Sequence, residues 1–277
     1  MTARWLPAKT AAMDGPRSGR PVRLRDVVAF LDETLLVDKF RDYGVNGLQV
    51  EGSPEVDRVV TGVSANMDLL QKAAEVGADL VVVHHGLVWG GGIDRVTGAL
   101  ARRLGFLLEH RISLAAYHLP LDAHARLGNN VGLADTIGLG PERGKFGDVK
   151  GHALGLFGSW REPVTRDEAV GRIAATVLGG APPRFVFPFG PESVRLVGLC
   201  TGAASDLLPA AAAAGCDLFL TGELAERAGD LARELEITLV AAGHYATEVF
   251  GPRRLCDELM MRFPGLDARF VAVPSPL

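Results

Sequence analysis

Asp68-Leu-Leu-Gln-Lys-Ala-Ala-Glu-Val-Gly-Ala-Asp-Leu-Val-Val-Val-His-His-Gly86 is the stretch that decides the fold. Its first half continues a helical spacing that runs from Met67 to Val76, and Gly77 is a natural C-terminal cap. Its second half, Asp79 to Val83, is an almost wholly apolar strand, as expected where both faces of a sheet are covered. The run then turns polar at His84-His85-Gly86. Upstream, Val59 to Val63 is another short apolar strand, so the segment reads strand, helix, strand.

The pattern returns further along the chain. Asp206-Leu-Leu-Pro-Ala-Ala-Ala-Ala-Ala-Gly-Cys-Asp-Leu218 matches Asp68 to Leu80 at Asp-Leu-Leu, the paired Ala, Gly and Asp-Leu, at a constant offset of 138. The strands that follow lead to His84-His85 in one copy and to Gly222-Glu223 in the other. A second echo joins Ile112-Ser-Leu-Ala-Ala-Tyr-His118 to Ile237-Thr-Leu-Val-Ala-Ala-Gly-His244, at an offset of 125 that slips by one at the histidine. Ala- and Leu-rich helices resemble one another by composition alone, but two echoes in the same order favour two related α/β halves.

Other elements follow from local pattern. Arg25 to Phe40 has apolar residues at helical spacing, and Asp42 to Val50 is rich in turn-forming Gly and Asn. Gly138 to Gly151 is Gly- and charge-rich and reads as a boundary between halves. Val164 to Leu178 reads as a helix opened by a capping box, Thr165 with Glu168. Phe185 to Phe189 reads as a strand.

The totals fit this picture. The 277 residues are 48% hydrophobic and 22% charged, with 34 glycines, enough for one large domain or two moderate ones. The net charge of −4 and the lack of a long Lys/Arg run disfavour nucleic acid and anionic membrane as partners. No apolar stretch reaches the roughly 18 residues that span a bilayer. Cys200, Cys216 and Cys256 stand apart among apolar neighbours, which reads as buried reduced thiols and a cytoplasmic location. Residues 1–21 read as a disordered extension without the apolar core of a secretory signal.

Chemistry-bearing residues gather where apolar strands end, the place where open α/β sheets hold ligands. His84-His85, Tyr117-His-Leu-Pro-Leu-Asp-Ala-His124 and Gly243-His-Tyr-Ala-Thr-Glu248 contain five of the seven histidines, together with Asp122 and Glu248. Imidazoles and carboxylates suit Zn, Mn, Fe, Co or Ni. Adjacent histidines leaving a strand diverge, so two ions fit them better than one. A carboxylate bridges such ions at about 3.5–4 Å. Glu248 lies four residues after His244, which one helical turn would bring to the same side. The alternatives are a structural hydrogen-bond network or a catalytic pair, and Asp122 with His124 would also serve to cap a turn after Pro120. His110 and His152 read as core histidines. Gly90-Gly91-Gly92 lacks the strand-then-helix context of a phosphate-binding loop.

Taken together, Tyr-Gly-Val-Asn-Gly-Leu-Gln-Val (43–50), His-His-Gly-Leu-Val-Trp (84–89), Tyr-His-Leu-Pro-Leu-Asp-Ala-His (117–124), Asn129-Asn130, Thr-Gly-Glu (221–223) and Gly-His-Tyr-Ala-Thr-Glu (243–248) resemble one family. It is the YbgI-type, Nif-three-like family, whose members are often labelled type 2 GTP cyclohydrolase I homologs. The resemblance implies an α/β protein of two related three-layer halves with mixed sheets, the second inserted into the first. The first domain would comprise 22–140 and 240–277 and carry most ligands; the second would comprise 141–239. It implies a homohexameric ring and two divalent ions per chain. His84 and Asp122 would hold one ion, His85 and His244 the other, and Glu248 both. His118 and His124 would orient ligands or face the substrate.

Two departures stand out: Tyr245 and Asp230 replace histidines common in relatives. The implied activity is hydrolysis of a nucleotide or related heterocycle by metal-activated water. The internal echo puts Glu223 at the position of His85, which makes it a candidate general acid or base. The rival class is a non-catalytic, metal-dependent scaffold that binds a partner or nucleic acid as a ring.

Overall fold

The computed structural model describes residues 21–275, so the extension read at residues 1–21 lies outside them but for Pro21. The chain opens with β1 (Val22–Arg23), α1 (Leu24–Thr34), β2 (Gly47–Val50), β3 (Glu55–Val56), β4 (Arg58–Ser64), α2 (Met67–Glu75) and β5 (Leu80–His85). It continues with α3 (Gly98–His110), β6 (Ser113–Ala116), α4 (Leu119–Ala123), α5 (Asn129–Thr136), β7 (Arg143–Val149) and β8 (His152–Thr165). Then come α6 (Arg166–Val177), β9 (Phe185–Pro188), β10 (Ser193–Cys200), α7 (Leu208–Ala213), β11 (Leu218–Thr221) and α8 (Ala228–Glu234). The last elements are β12 (Thr238–Ala241), α9 (His244–Thr247), α10 (Phe250–Arg262) and β13 (Asp267–Phe270). Among the described residues, no helix is long and apolar enough to cross a membrane.

Two mixed sheets organise this α/β chain. One has the order β13-β4-β5-β6-β2, parallel except for β2, which runs antiparallel to β6. The other has the order β7-β8-β10-β11-β12-β9, with β10, β11 and β12 parallel and the rest antiparallel. A two-stranded ladder joins β1 and β3. Two compact units contain these sheets: among the described residues, 21–118 with Pro252–Val273 form one, and Leu119–Gly251 forms the body of the other.

The first unit packs Val60, Leu69, Leu70, Val81, Val83, Leu107 and Leu114 into one apolar core. Asn66 caps α2 through its side chain, which accepts from Leu69 N–H, and Gly77 at φ +68° closes the turn beyond. The helix predicted from Arg25 to Phe40 stops at Thr34, because Leu36 takes a left-handed conformation and only a short 3₁₀ turn follows.

The second unit buries Trp160, Ile173, Val197, Leu199, Leu218, Leu220 and Val240. The capping box on α6 is formed by Thr165 and Glu168. The stretch 138–151, read as a boundary, instead supplies β7, whose Phe146 is buried. Residues 119–140 and 240–251, expected with the first domain, pack with the second unit. β12 lies between β11 and β9 in its sheet. Asn130 donates to the Leu154 carbonyl at 3.0 Å, and Trp160 to that of Ile137 at 2.8 Å.

The sequence echo is also a hydrogen-bond echo. Asp79 Oδ2 accepts the backbone N–H groups of Asp57 (2.9 Å) and Arg58 (3.0 Å), which open β4. Asp217 Oδ2 accepts those of Arg195 (2.9 Å) and Leu196 (2.8 Å) at the start of β10. All three positions are displaced by the same 138 residues. The ladders repeat too: Val59 pairs with Leu80 and Leu80 with Ser113, as Val197 pairs with Leu218 and Leu218 with Thr238.

Removing Asp79 strands two half-buried donors, and removing Asp217 strands one half-buried and one exposed donor. Asp79→Ala and Asp217→Ala are each expected to lower unfolding free energy by about 2–4 kcal/mol, read as a lower urea midpoint at unchanged slope. The Asn variants, which keep one acceptor oxygen, are expected to lose less.

Candidate metal centre

In the first unit, β5 and β6 are adjacent and parallel, and Val83 pairs with Ala116. His84-His85 at the end of β5 and Tyr117-His118 just past β6 therefore lie at one level. His84 is buried, and its Nδ1 lies 2.9 Å from the Tyr117 carbonyl. A carbonyl only accepts, so Nδ1 carries the hydrogen and Nε2 keeps the lone pair. His85 Nδ1 lies 3.1 Å from the Ser64 hydroxyl on β4. His118 Nδ1 lies 2.7 Å from Asp42 Oδ1, and that carboxylate is almost fully buried. Asn46 braces the pair: it donates to Asp42 Oδ2 at 2.9 Å and accepts from His118 N–H at 2.8 Å. The three rings sit with centroids 4.6, 5.0 and 5.6 Å apart. One ring nitrogen from each lies within 4.8 Å of the others.

In the second unit, β11 and β12 end together, Thr221 beside Ala241. The single turn of α9 then brings His244 Nε2 to 3.1 Å from Glu248 Oε2. Glu223 Oε2 holds His244 Nδ1 at 2.6 Å. Burial acts to lower the His244 pKa, but hydrogen bonds and charge from Glu248 and Glu223 override it and hold the value at about 9. Glu248 is buried, and Gly202, at φ +70°, leaves the space it needs: a Cβ there would overlap Glu248 Oε1.

Asp122 is buried as well, and its Oδ1 accepts from Asn129 Nδ2 (2.9 Å) and Thr201 Oγ1 (3.2 Å). Asp122 and Glu248 each bring an oxygen within 4.8 Å of the other. Two buried carboxylates so close repel each other and call for a cation. Burial, then the Asp122 charge, raise the pKa of the nearby Cys200 thiol.

The donor chemistry of both sets fits divalent transition metals. The three imidazoles of the first unit form one set. The second unit supplies Asp122, His244 and Glu248. His124 joins neither set: its Nδ1 accepts from Leu127 N–H (2.9 Å) and Arg126 N–H (3.2 Å), capping the turn after Pro120. It borders a cavity of about 260 Å³ whose wall includes Asp122, Arg143 and Lys145. His110 stacks on Phe106 at the exposed end of α3 rather than in a core. Asp230 lies in the first turn of α8, where a negative side chain favours a helix N-terminus. Of the residues that aim the donors, Asn129 stood among the family motifs without an assigned role, Asp42 lay in a stretch read only as a turn, and Ser64 and Thr201 escaped the sequence reading.

The Duf34/NIF3 (NGG1p interacting factor 3) family model matches residues 22–276. A protein of Archaeoglobus fulgidus named GTP cyclohydrolase 1 type 2 homolog is 43% identical over 256 residues, spanning 92% of this chain and all of its own. Among solved structures, the protein ybgI, described as of unknown function, superposes with a TM-score of 0.84 at 38% identity, over 92% of this chain and 100% of its own. TTHA1606 from Thermus thermophilus gives 0.82 at 35%, with the same coverage.

The raised His244 pKa yields a prediction for metal-free protein. Its folded value of about 9 exceeds the unfolded value of about 6.5. The stabilisation is therefore complete below pH 6.5 and lost as pH rises through 9. Glu223→Gln is expected to move the His244 titration downward, read from its imidazole proton shifts, and to narrow that window.

Proposed function

Because this chain belongs to the Duf34/NIF3 (NGG1p interacting factor 3) family, we propose that it is a dinuclear metal-dependent hydrolase acting on a nucleotide or related heterocycle. The observation that supports this most is the donor inventory of the two units: three gathered imidazoles in one, and two buried carboxylates with a histidine in the other. In this reading His84, His85, Asp122, His244 and Glu248 hold two ions drawn from Zn, Mn, Fe, Ni or Co, with Glu248 shared. The name carried by the Archaeoglobus relative supports a nucleotide substrate. We also read the halves as three-layer copies of one α/β unit, the second inserted into the first, which the shared aspartate bonds support. A cytoplasmic homohexameric ring completes the proposal, and its mass in light scattering checks that part.

Bound ions of this kind supply Lewis acidity and lower the pKa of water toward neutrality. The chain's own residues supply aim. Asp42 fixes the ring of His118, and the Tyr117 carbonyl fixes that of His84. Orienting bonds of this sort raise ligand basicity and reduce the freedom lost on binding. Glu223 does the same for His244 through its 2.6 Å bond. That contact supports a positioning role for Glu223, beside the acid–base role read from the echo. Lys145, beside Asp122, gives the cavity there a cationic side chain suited to an anionic substituent, while Arg143 is paired with Asp135.

Elemental analysis of purified protein is expected to give two ions per chain. His84→Ala and Glu248→Gln are expected to bring that ratio below one and to abolish consumption of GTP, or of whichever nucleotide the wild type consumes. A wild type that stays metal-free in excess divalent ion overturns the proposal. Full loading without turnover of any nucleotide leaves a non-catalytic binding protein.

A further inference from the structure

Tyr43 and Trp89 lie on two backbone segments stitched together beside the three imidazoles. Gly44 bridges Trp89, Val45 N–H donates to the Val88 carbonyl (3.1 Å), and Gly90 N–H donates to the Tyr43 carbonyl (2.6 Å). The approach is close enough that a Cβ on Gly44 would lie 3.0 Å from the indole. Trp89 Nε1–H is anchored on the Gly86 carbonyl at 3.1 Å. The loop carrying Gly86 is in turn fastened by Gln49, whose Oε1 accepts from Leu87 N–H (2.7 Å) and Val88 N–H (3.2 Å).

So the indole is fixed in place, yet Trp89 is 39% exposed and Tyr43 49%. An aromatic side chain contributes most to folding when it is buried, and a pinned but exposed one has already given up its rotamer freedom. Position adds the rest. The indole lies 5.1 Å from the His118 ring, edge to face, and 6.0 Å from His85; Tyr43 lies 6.4 Å from His118. Exposed Val45 extends the same apolar border.

We infer that Trp89, flanked by Tyr43, is the stacking platform that holds a planar nitrogen heterocycle against the three-histidine cluster. The inference deepens the proposed function and rests on its reading of those imidazoles as a reaction centre. Stacking needs only a flat π-face, so the platform selects for a heterocyclic ring as a class. Discrimination among rings falls to polar groups elsewhere.

The test is equilibrium dialysis of metal-loaded, full-length protein against guanosine, adenosine and ribose 5-phosphate, with the metal-to-chain ratio and mass recorded for each variant. Wild type is expected to bind the nucleosides better than the sugar phosphate. Trp89→Ala is expected to weaken nucleoside binding by roughly 5- to 150-fold, the equivalent of about 1–3 kcal/mol for one stacked base. Trp89→Phe is expected to recover most of that, with metal content and mass unchanged throughout. Nucleoside binding that is undiminished in Trp89→Ala, absent in wild type, or lost only along with metal overturns the inference. A change of mass in Trp89→Ala also overturns it, because the surface then belongs to a second copy. Dialysis reads binding without turnover, so failure of the hydrolase reading and failure of the platform are separately visible.

Discussion

One carboxylate in each unit sets the register on which everything else depends. Asp79 and Asp217 sit just before a buried strand and accept the two amides that open the neighbouring one. A parallel pair has no tight turn to fix its alignment, so a bond across its base does that work. A slip of one residue would send every side chain of the strand to the opposite face of the sheet. Asp79 and Asp217 also anchor the next strand through their backbone, since Ser113 N–H donates to the Asp79 carbonyl and Thr238 N–H to that of Asp217. With strands of similar length, the far ends align as well. Val83 meets Ala116, and Thr221 meets Ala241. The polar residues that follow must then leave their sheet at the same level, two strands at a time.

That alignment explains why the donors within each unit meet although they are far apart in sequence. His84 and His118 are separated by 34 positions, yet their rings lie 5.0 Å apart because β5 and β6 are neighbours. His244 and Glu223 approach because β11 and β12 are neighbours. The sheet supplies the juxtaposition, and short helical turns refine it. The four-residue step along α9 sets His244 against Glu248. Gly128 serves the turn around Asp122, since a Cβ there would crowd the backbone carbonyls of Leu121, Asp122 and His124.

Much of this was legible in the chain because its causes are local. Apolar runs marked β4, β5, β11 and β12, Gly77 marked the end of α2, and Thr165 with Glu168 marked the start of α6. What escaped depends on topology. Nothing near Asp42 announces that β2 pairs antiparallel with β6 and so carries the preceding loop to His118. Ser64 was a strand residue like any other until its register with His85 was known. The stretch from Gly138 to Gly151 misled for a different reason. Its glycines and charges imitate a linker, but Phe146 packs inward and the segment pairs with β8 as an edge strand, where charged side chains are at home.

The two units repeat one hydrogen-bond register while carrying different donors. At the 138-residue offset, Ser64 corresponds to Gly202 and His85 to Glu223. Ser64 fills its site with a hydroxyl that touches an imidazole, whereas Gly202 empties the equivalent site so that the Glu248 carboxylate can enter. The first unit thus presents imidazole donors, with the Asp42 carboxylate set behind His118. The second presents mainly oxygen, through Asp122 and Glu248, with Glu223 behind His244. Imidazole favours transition metals over magnesium and calcium, while carboxylate offsets the charge of a divalent ion.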